Sequence, residues 1–170
     1  MNYRFELLTT KYRRPIIKIF NYFVKNSYAA YPILLAKKDF FDNFIEMSID
    51  YLAVVIKADN REIVGFAALH SYGCRIIFNE TAELIYFILP EHSRKGLGKA
   101  LLDLFVKEAR KRGIYNLLVN ISSKNRQSIA FHRKYGFKEC GRLQKIGKKL
   151  ARDLMLYGCR KKYKLSSHRT

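Results

Sequence analysis

Along the chain, apolar positions repeat with two different periods, and each change of period marks an element. Residues 3–8 alternate as a first strand. After Pro15, a residue suited to a first helical turn, Ile16, Ile19, Phe20 and Phe23 follow at helical spacing, and the pattern fades at Asn26-Ser27. A second helix is expected over residues 39–47, with Asp39 as its N-cap and Phe40, Phe41, Phe44 and Ile45 on the buried face. The β-branched runs 52–58 and 63–70 flank a polar stretch and read as a hairpin. Residues 75–78 precede a strongly apolar strand over 83–89. Leu97, Leu101, Leu104 and Phe105 then define a helix that ends near Arg112-Gly113, where glycine supplies a left-handed terminus. A strand over 115–121, a loop over 122–125, a short helix over 128–135 stopped by Gly136, and strands over 137–146 and 152–159 complete the chain. The order β-α-α-β-β-β-α-β-α-β-β predicts an α/β fold, a mixed sheet of about seven strands layered with four helices. No repeat or low-complexity segment interrupts it, so residues 1–160 are expected to form one domain, followed by a basic tail over 161–170.

The connection between strand 83–89 and the helix after it carries candidate chemistry. Pro90 ends the apolar run, and a basic turn with Gly96 and Gly98 leads into the helix. The first N–H groups of a helix lack internal partners and face the positive end of the helix dipole. Two glycines allow a phosphate to approach the main chain, and Arg94, Lys95 and Lys99 add formal charge. The turn reads either as a seat for a phosphorylated ligand or as a tight strand–helix connection.

Composition narrows the class. Apolar residues make up 49% of the chain, enough for a packed core, and the net charge is +19, from 33 Lys and Arg against 14 Asp and Glu. Such a field attracts polyanions and leaves open contacts with acidic proteins or nucleic acid. Cys74, Cys140 and Cys159 are widely spaced and form no C-x-x-C pattern, which gives no metal expectation. With no signal-like apolar segment at the start and no apolar run of bilayer length, a reduced, cytoplasmic setting without membrane attachment is expected.

Two motifs in register resemble the GNAT superfamily of N-acetyltransferases. Gly96 and Gly98 match its Arg/Gln-x-x-Gly-x-Gly/Ala turn, with Ser93 in place of Arg or Gln. Residues 125–137, Asn-Arg-Gln-Ser-Ile-Ala-Phe-His-Arg-Lys-Tyr-Gly-Phe, resemble its Asn-x-x-(Ala/Ser)-Ile-x-(Phe/Leu)-(Tyr/His)-x-x-x-Gly-Phe helix. Within the superfamily the chain resembles the phosphinothricin and methionine sulfoximine acetyltransferases, through residues 20–27, His132, Gly141-Arg142-Leu143, residues 146–149 and Arg152-Asp153. Arg75, Phe78, Thr81 and Glu83 follow that group's spacing, whereas Asn79 stands where it has a second Arg, and the chain has no Trp.

The resemblance implies a mostly antiparallel twisted sheet, acetyl-CoA as cosubstrate and a small primary amine such as an amino-acid analogue as acceptor; oligomeric state is not readable from the sequence, and a homodimer stays open. It implies that Phe87, Ile88, Leu89, Arg94, Lys95, Gly96, Leu97, Gly98, Lys99 and Asn125 bind the cofactor. Arg75, Phe78 and Glu83 would contact the acceptor, with Arg75 gripping a carboxylate through two parallel bonds. Glu83 and His132 are the expected catalytic pair. An alkylammonium titrates near about 10 and a carboxylate near about 4.3, so Glu83 would act through ordered waters. A main-chain N–H near Phe87 or Ile88 would stabilise the thioester oxyanion. His132 would either protonate the departing thiolate or pack beside the cofactor. Asn125 would cap its helix and bond the pantetheine arm. Two other functions stay open: acetylation of a protein N-terminus or lysine, and an idle module that binds CoA or RNA.

Overall fold

A computed structural model describes residues 2–73, 76–149 and 152–162. Its elements are β1 (Tyr3–Leu7), α1 (Arg13–Asn26), α2 (Lys38–Met47), β2 (Ala53–Ala58), β3 (Ile63–Ser71), β4 (Thr81–Ile88), α3 (Leu97–Lys111), β5 (Asn116–Ser122), α4 (Arg126–Lys134), β6 (Lys138–Lys149) and β7 (Arg152–Lys162). The predicted order of seven strands and four helices is the observed one. The strands form one sheet in the order β1-β2-β3-β4-β5-β7-β6, in which only the β4–β5 pair is parallel.

Alternation along the strands divides the core into two layers. Val54, Ile56, Val64, Ala67, Leu69, Ala82, Leu84, Leu117, Val119 and Ile121 meet Leu97, Leu101, Leu102, Phe105 and Ala109 of α3. On the opposite face Val55, Phe66, Ala68 and Phe87 meet Ile16, Ile19, Phe20 and Val24 of α1 and Phe41 and Phe44 of α2. Strands β2 to β4 are therefore covered on both faces, which explains why their sequences read as nearly unbroken apolar runs, whereas the buried apolar residues of β5 all belong to the α3 layer.

Several boundaries differ from expectation for local reasons. Helix α2 starts at Lys38, with Lys37 in the cap position, so Asp39 lies inside the first turn and makes no capping bond. It still meets the positive end of the helix dipole there. Residues 76–78 form a single 3-10 turn. Leu89 falls just beyond β4, although its N–H still bonds the Val64 carbonyl at 2.9 Å. Strand β6 runs past its expected end to Lys149, paired with β7 as far as Arg152, and β7 continues to Lys162 by pairing with β5.

Candidate active site

The site follows from one break in the sheet. β4 and β5 pair in parallel only over Thr81–Glu83 against Asn116–Leu118. Beyond that point β4 stays with β3, in register as far as Ile88, and β5 stays with β7 as far as Ser122. The two strands diverge and leave a wedge between them. The Leu89 N–H bond to Val64 fixes the phase of the β3–β4 ladder, so Ile85 and Phe87 direct their N–H groups to β3. Tyr86 and Ile88 direct theirs into the wedge. Of the two candidate oxyanion donors, Ile88 thus has the suitable direction. Phe87 instead places its ring among Phe20, Phe23 and Phe66 and lends its N–H to the sheet. Gly65 keeps this region tight, since a Cβ there would stand 2.6 Å from the Phe87 carbonyl oxygen.

Two recesses meet at the wedge. The larger, about 770 Å³, runs from Tyr86, Phe87 and Ile88 past Gly96, Leu97, Gly98 and Lys99 to Lys124, Phe131 and Lys134. At its floor Gly96 precedes α3 with φ of 83°, a conformation that costs an L-residue a Cβ clash. Gly98 has a different reason to be glycine: a Cβ there would stand 3.0 Å from the Phe131 ring of α4, so it lets the two helices approach. Arg94 also takes a left-handed conformation, φ 60°, and is exposed on the rim. Lys99 is paired with Asp103 one turn along α3, so part of its charge is already met. Ser93 directs its hydroxyl towards the Leu89 carbonyl at 3.4 Å. Arg94, Lys99, Lys124 and Lys134 ring a helix N-terminus with unpartnered N–H groups. This is a fitting set for the phosphates of a CoA ester.

The smaller recess, about 240 Å³, opens on the α1–α2 face of the sheet. There Glu83 Oε1 accepts from Asn120 Nδ2 at 2.7 Å across the wedge. The Tyr31 hydroxyl donates to the Asn120 carbonyl at 2.7 Å, fixing the strand that carries this amide. Burial pushes the Tyr31 phenol upward, with a smaller contribution from the nearby Glu83 charge. His70 lies directly opposite Glu83 on β3. Its Nδ1–H bonds the Ser71 carbonyl at 2.9 Å, leaving Nε2 buried without a hydrogen-bond partner. None of Asn120, Tyr31 and His70 stands out in the sequence, because each acts through a pairing made only when distant segments meet.

His132 approaches from the other face. Its Nδ1–H donates to the Ser128 carbonyl at 2.8 Å, so Nε2 carries the lone pair that accepts from the Tyr86 hydroxyl at 2.7 Å. Desolvation by burial lowers its pKa to about 4, so the ring is neutral at pH 7. Both nitrogens are occupied, and the Tyr86 hydroxyl stands in front of Nε2. A free imidazolium acid facing the wedge is therefore not what this geometry offers. Asn125 caps α4 through Oδ1, which accepts from the Ser128 N–H at 3.1 Å, and it lines both recesses. Phe78 lies apart, in an exposed edge contact with Tyr72. Arg75 falls outside the described residues.

Residues 16–137 match the acetyltransferase (GNAT) family. The chain belongs to that family. The GNAT domain is 30% identical over 145 residues to the L-methionine sulfoximine/L-methionine sulfone acetyltransferase of Pseudomonas aeruginosa, covering 83% of each protein. It is also 30% identical over 103 residues to the L-amino acid N-acyltransferase MnaT of Escherichia coli, and here the match spans 61% of this chain but only 60% of that relative. Among solved structures, yncA of Salmonella typhimurium, with its cofactor acetyl-CoA, superposes with a TM-score of 0.84 at 25% identity, covering 99% of this chain and 96% of that one. A ribosomal-protein-alanine N-acetyltransferase from Brucella melitensis gives 0.85 at 26% identity, covering 94% and 99%.

Proposed function

We propose that the chain transfers an acetyl group from acetyl-CoA to the primary amine of a small molecule. The observation that carries this reading is the wedge itself. One strand break joins a basic, helix-terminated cleft to a small recess containing a carboxylate, and Tyr86, Phe87, Asn125 and Ser128 line both. When bound, acetyl-CoA supplies an activated acyl carbon. Everything else falls to side chains and main chain. Ile88 N–H, and Tyr86 N–H behind it, lie where an oxyanion would develop, and one such donor is worth a few kcal/mol in a transition state (roughly 3 kcal/mol). Glu83, oriented by Asn120, takes the ammonium proton through ordered water. On the opposite wall the Tyr86 hydroxyl is a proton-bearing group held by its bond to neutral His132, which positions it.

A recess of about 240 Å³ suits a compact amine better than a folded protein surface. The names of the amino-acid and methionine sulfoximine acyltransferases point the same way. The role assigned to Arg75, a grip on an acceptor carboxylate, rests on sequence resemblance. A cytoplasmic setting belongs to the same proposal; no helix among the described residues is long and apolar enough to cross a membrane.

The reading is tested by following CoA thiol release with acetyl-CoA and a panel of small amines, alongside thermal melting. Amine-dependent thiol release and a melting shift with acetyl-CoA are expected. Binding without transfer to any amine would leave a CoA-binding module instead.

A further inference from the structure

The recess beside Glu83 has two chemically different ends. Its polar end is the wedge, with Glu83, Asn120, Ser122 and Ser128. Its other end is built from Phe20, Pro32, Phe40, Phe44, Met47 and Ile85. The rings there are already ordered: Phe20 and Phe40 stack with centroids 3.9 Å apart and planes 16° from parallel, and Phe44 continues the series at 6.0 Å and 22°. Among the described lining residues Glu83 is the one charged side chain, since His132 is neutral. The buried ammonium of Lys149 is bonded to the Ala30 carbonyl and does not line the recess. Met47, which lines this end, is half exposed, and Ile33 and Leu34, which follow the lining residue Pro32 in sequence, are among the most exposed large side chains.

Resting on the acetyltransferase reading, we propose that the acceptor is an amine with an apolar, preferentially aromatic body, seated with its nitrogen at Glu83 and Asn120 and its body against Phe40, Phe44 and Met47. The ammonium end meets the carboxylate, and an aryl or branched alkyl group extends the ring stack and leaves water. An anionic side chain in the same pose would be desolvated among rings and placed in a recess whose only described charge is negative. Such a site separates bodies by what it buries and by what it cannot pair.

The test compares kcat/KM for phenylalanine, leucine, glutamine, glutamate and phosphinothricin, and in parallel for the amides of the first four, so that ranking within the amide series excludes the α-carboxylate. Phenylalanine and leucine should exceed glutamate by at least about tenfold in whichever series is turned over, and phosphinothricin by as much in the free-acid series. Met47→Arg, which sets a guanidinium on the rim, should narrow or invert that ratio, while Met47→Leu should keep it. Acetylation in which glutamate or phosphinothricin equals or beats phenylalanine would overturn the apolar acceptor and leave the acetyltransferase standing. Absence of transfer to every amine, with acetyl-CoA still raising the melting temperature, would overturn both.

Discussion

The Tyr86 hydroxyl donates to His132 Nε2 at 2.7 Å, joining the diverging end of β4 to the helix that borders the cofactor cleft. The bond requires a neutral imidazole, and burial keeps the ring neutral. Protonation would reverse the bond, with the Tyr86 oxygen accepting from Nε2–H.

This pair makes stability depend on pH in a defined window. The folded pKa of about 4 lies below the ordinary 6.5, so the unfolded chain binds the extra proton more readily. The His132 contribution is complete above the unfolded value and is lost as pH falls from 6.5 towards about 4. The loss is on the order of 3 kcal/mol at most. Melting curves across that window should show a drop that His132→Gln largely removes. An unchanged slope in the variant would mean that other groups carry it.

The cap that Asn125 makes and the cofactor contact proposed for it fall on different atoms, so two substitutions separate them. Oδ1 caps α4, and Asn125→Ala should lower stability by about 1 kcal/mol. Asn125→Asp keeps the cap oxygen but removes the Nδ2 donor, and it should weaken acetyl-CoA binding with little change in melting temperature. Calorimetric titration beside melting checks both. Unaltered affinity in the Asp variant would confine Asn125 to capping.

The two glycines of the turn should fail differently. Gly96→Ala forces a Cβ into a left-handed position open to solvent, with a cost of about 1 kcal/mol. Gly98→Ala drives a methyl against the Phe131 ring and should displace α4 against α3, raising KM for acetyl-CoA more than Gly96→Ala does. Equal effects on KM would argue that Phe131 gives way freely.

Most of the architecture was legible because local signals agreed with it. Ile16, Ile19 and Phe20 gave α1, Gly113 and Gly136 closed α3 and α4 with φ of 71° and 84°, and the apolar runs gave the central strands. Asp39 misled because a capping residue type two positions past the cap looks the same in sequence as one at the boundary. The turn at Gly96 and the helix from Asn125 were recognisable as motifs, but the reason for Gly98 was not: Phe131 lies 33 positions downstream, and only the packing of α3 on α4 brings them together. His132 illustrates the limit most clearly. Its position was readable, whereas its protonation state depends on Tyr86, Ser128 and burial, which no spacing encodes. The surroundings of Glu83 were hidden for the same reason, since Asn120 reaches it from a neighbouring strand and Tyr31, from the α1–α2 connection, holds Asn120.

The central claim, that the wedge is an acetyl-transfer site whose proton acceptor is Glu83, is tested most directly by amine-dependent turnover of Glu83→Gln across about pH 6 to about pH 9. The substitution keeps the shape and can still pair with Asn120, so folding and the acetyl-CoA melting shift should persist. Turnover should fall by roughly a hundredfold or more, with the loss smallest at high pH, where free amine is already abundant. Full turnover throughout that range would contradict the assignment.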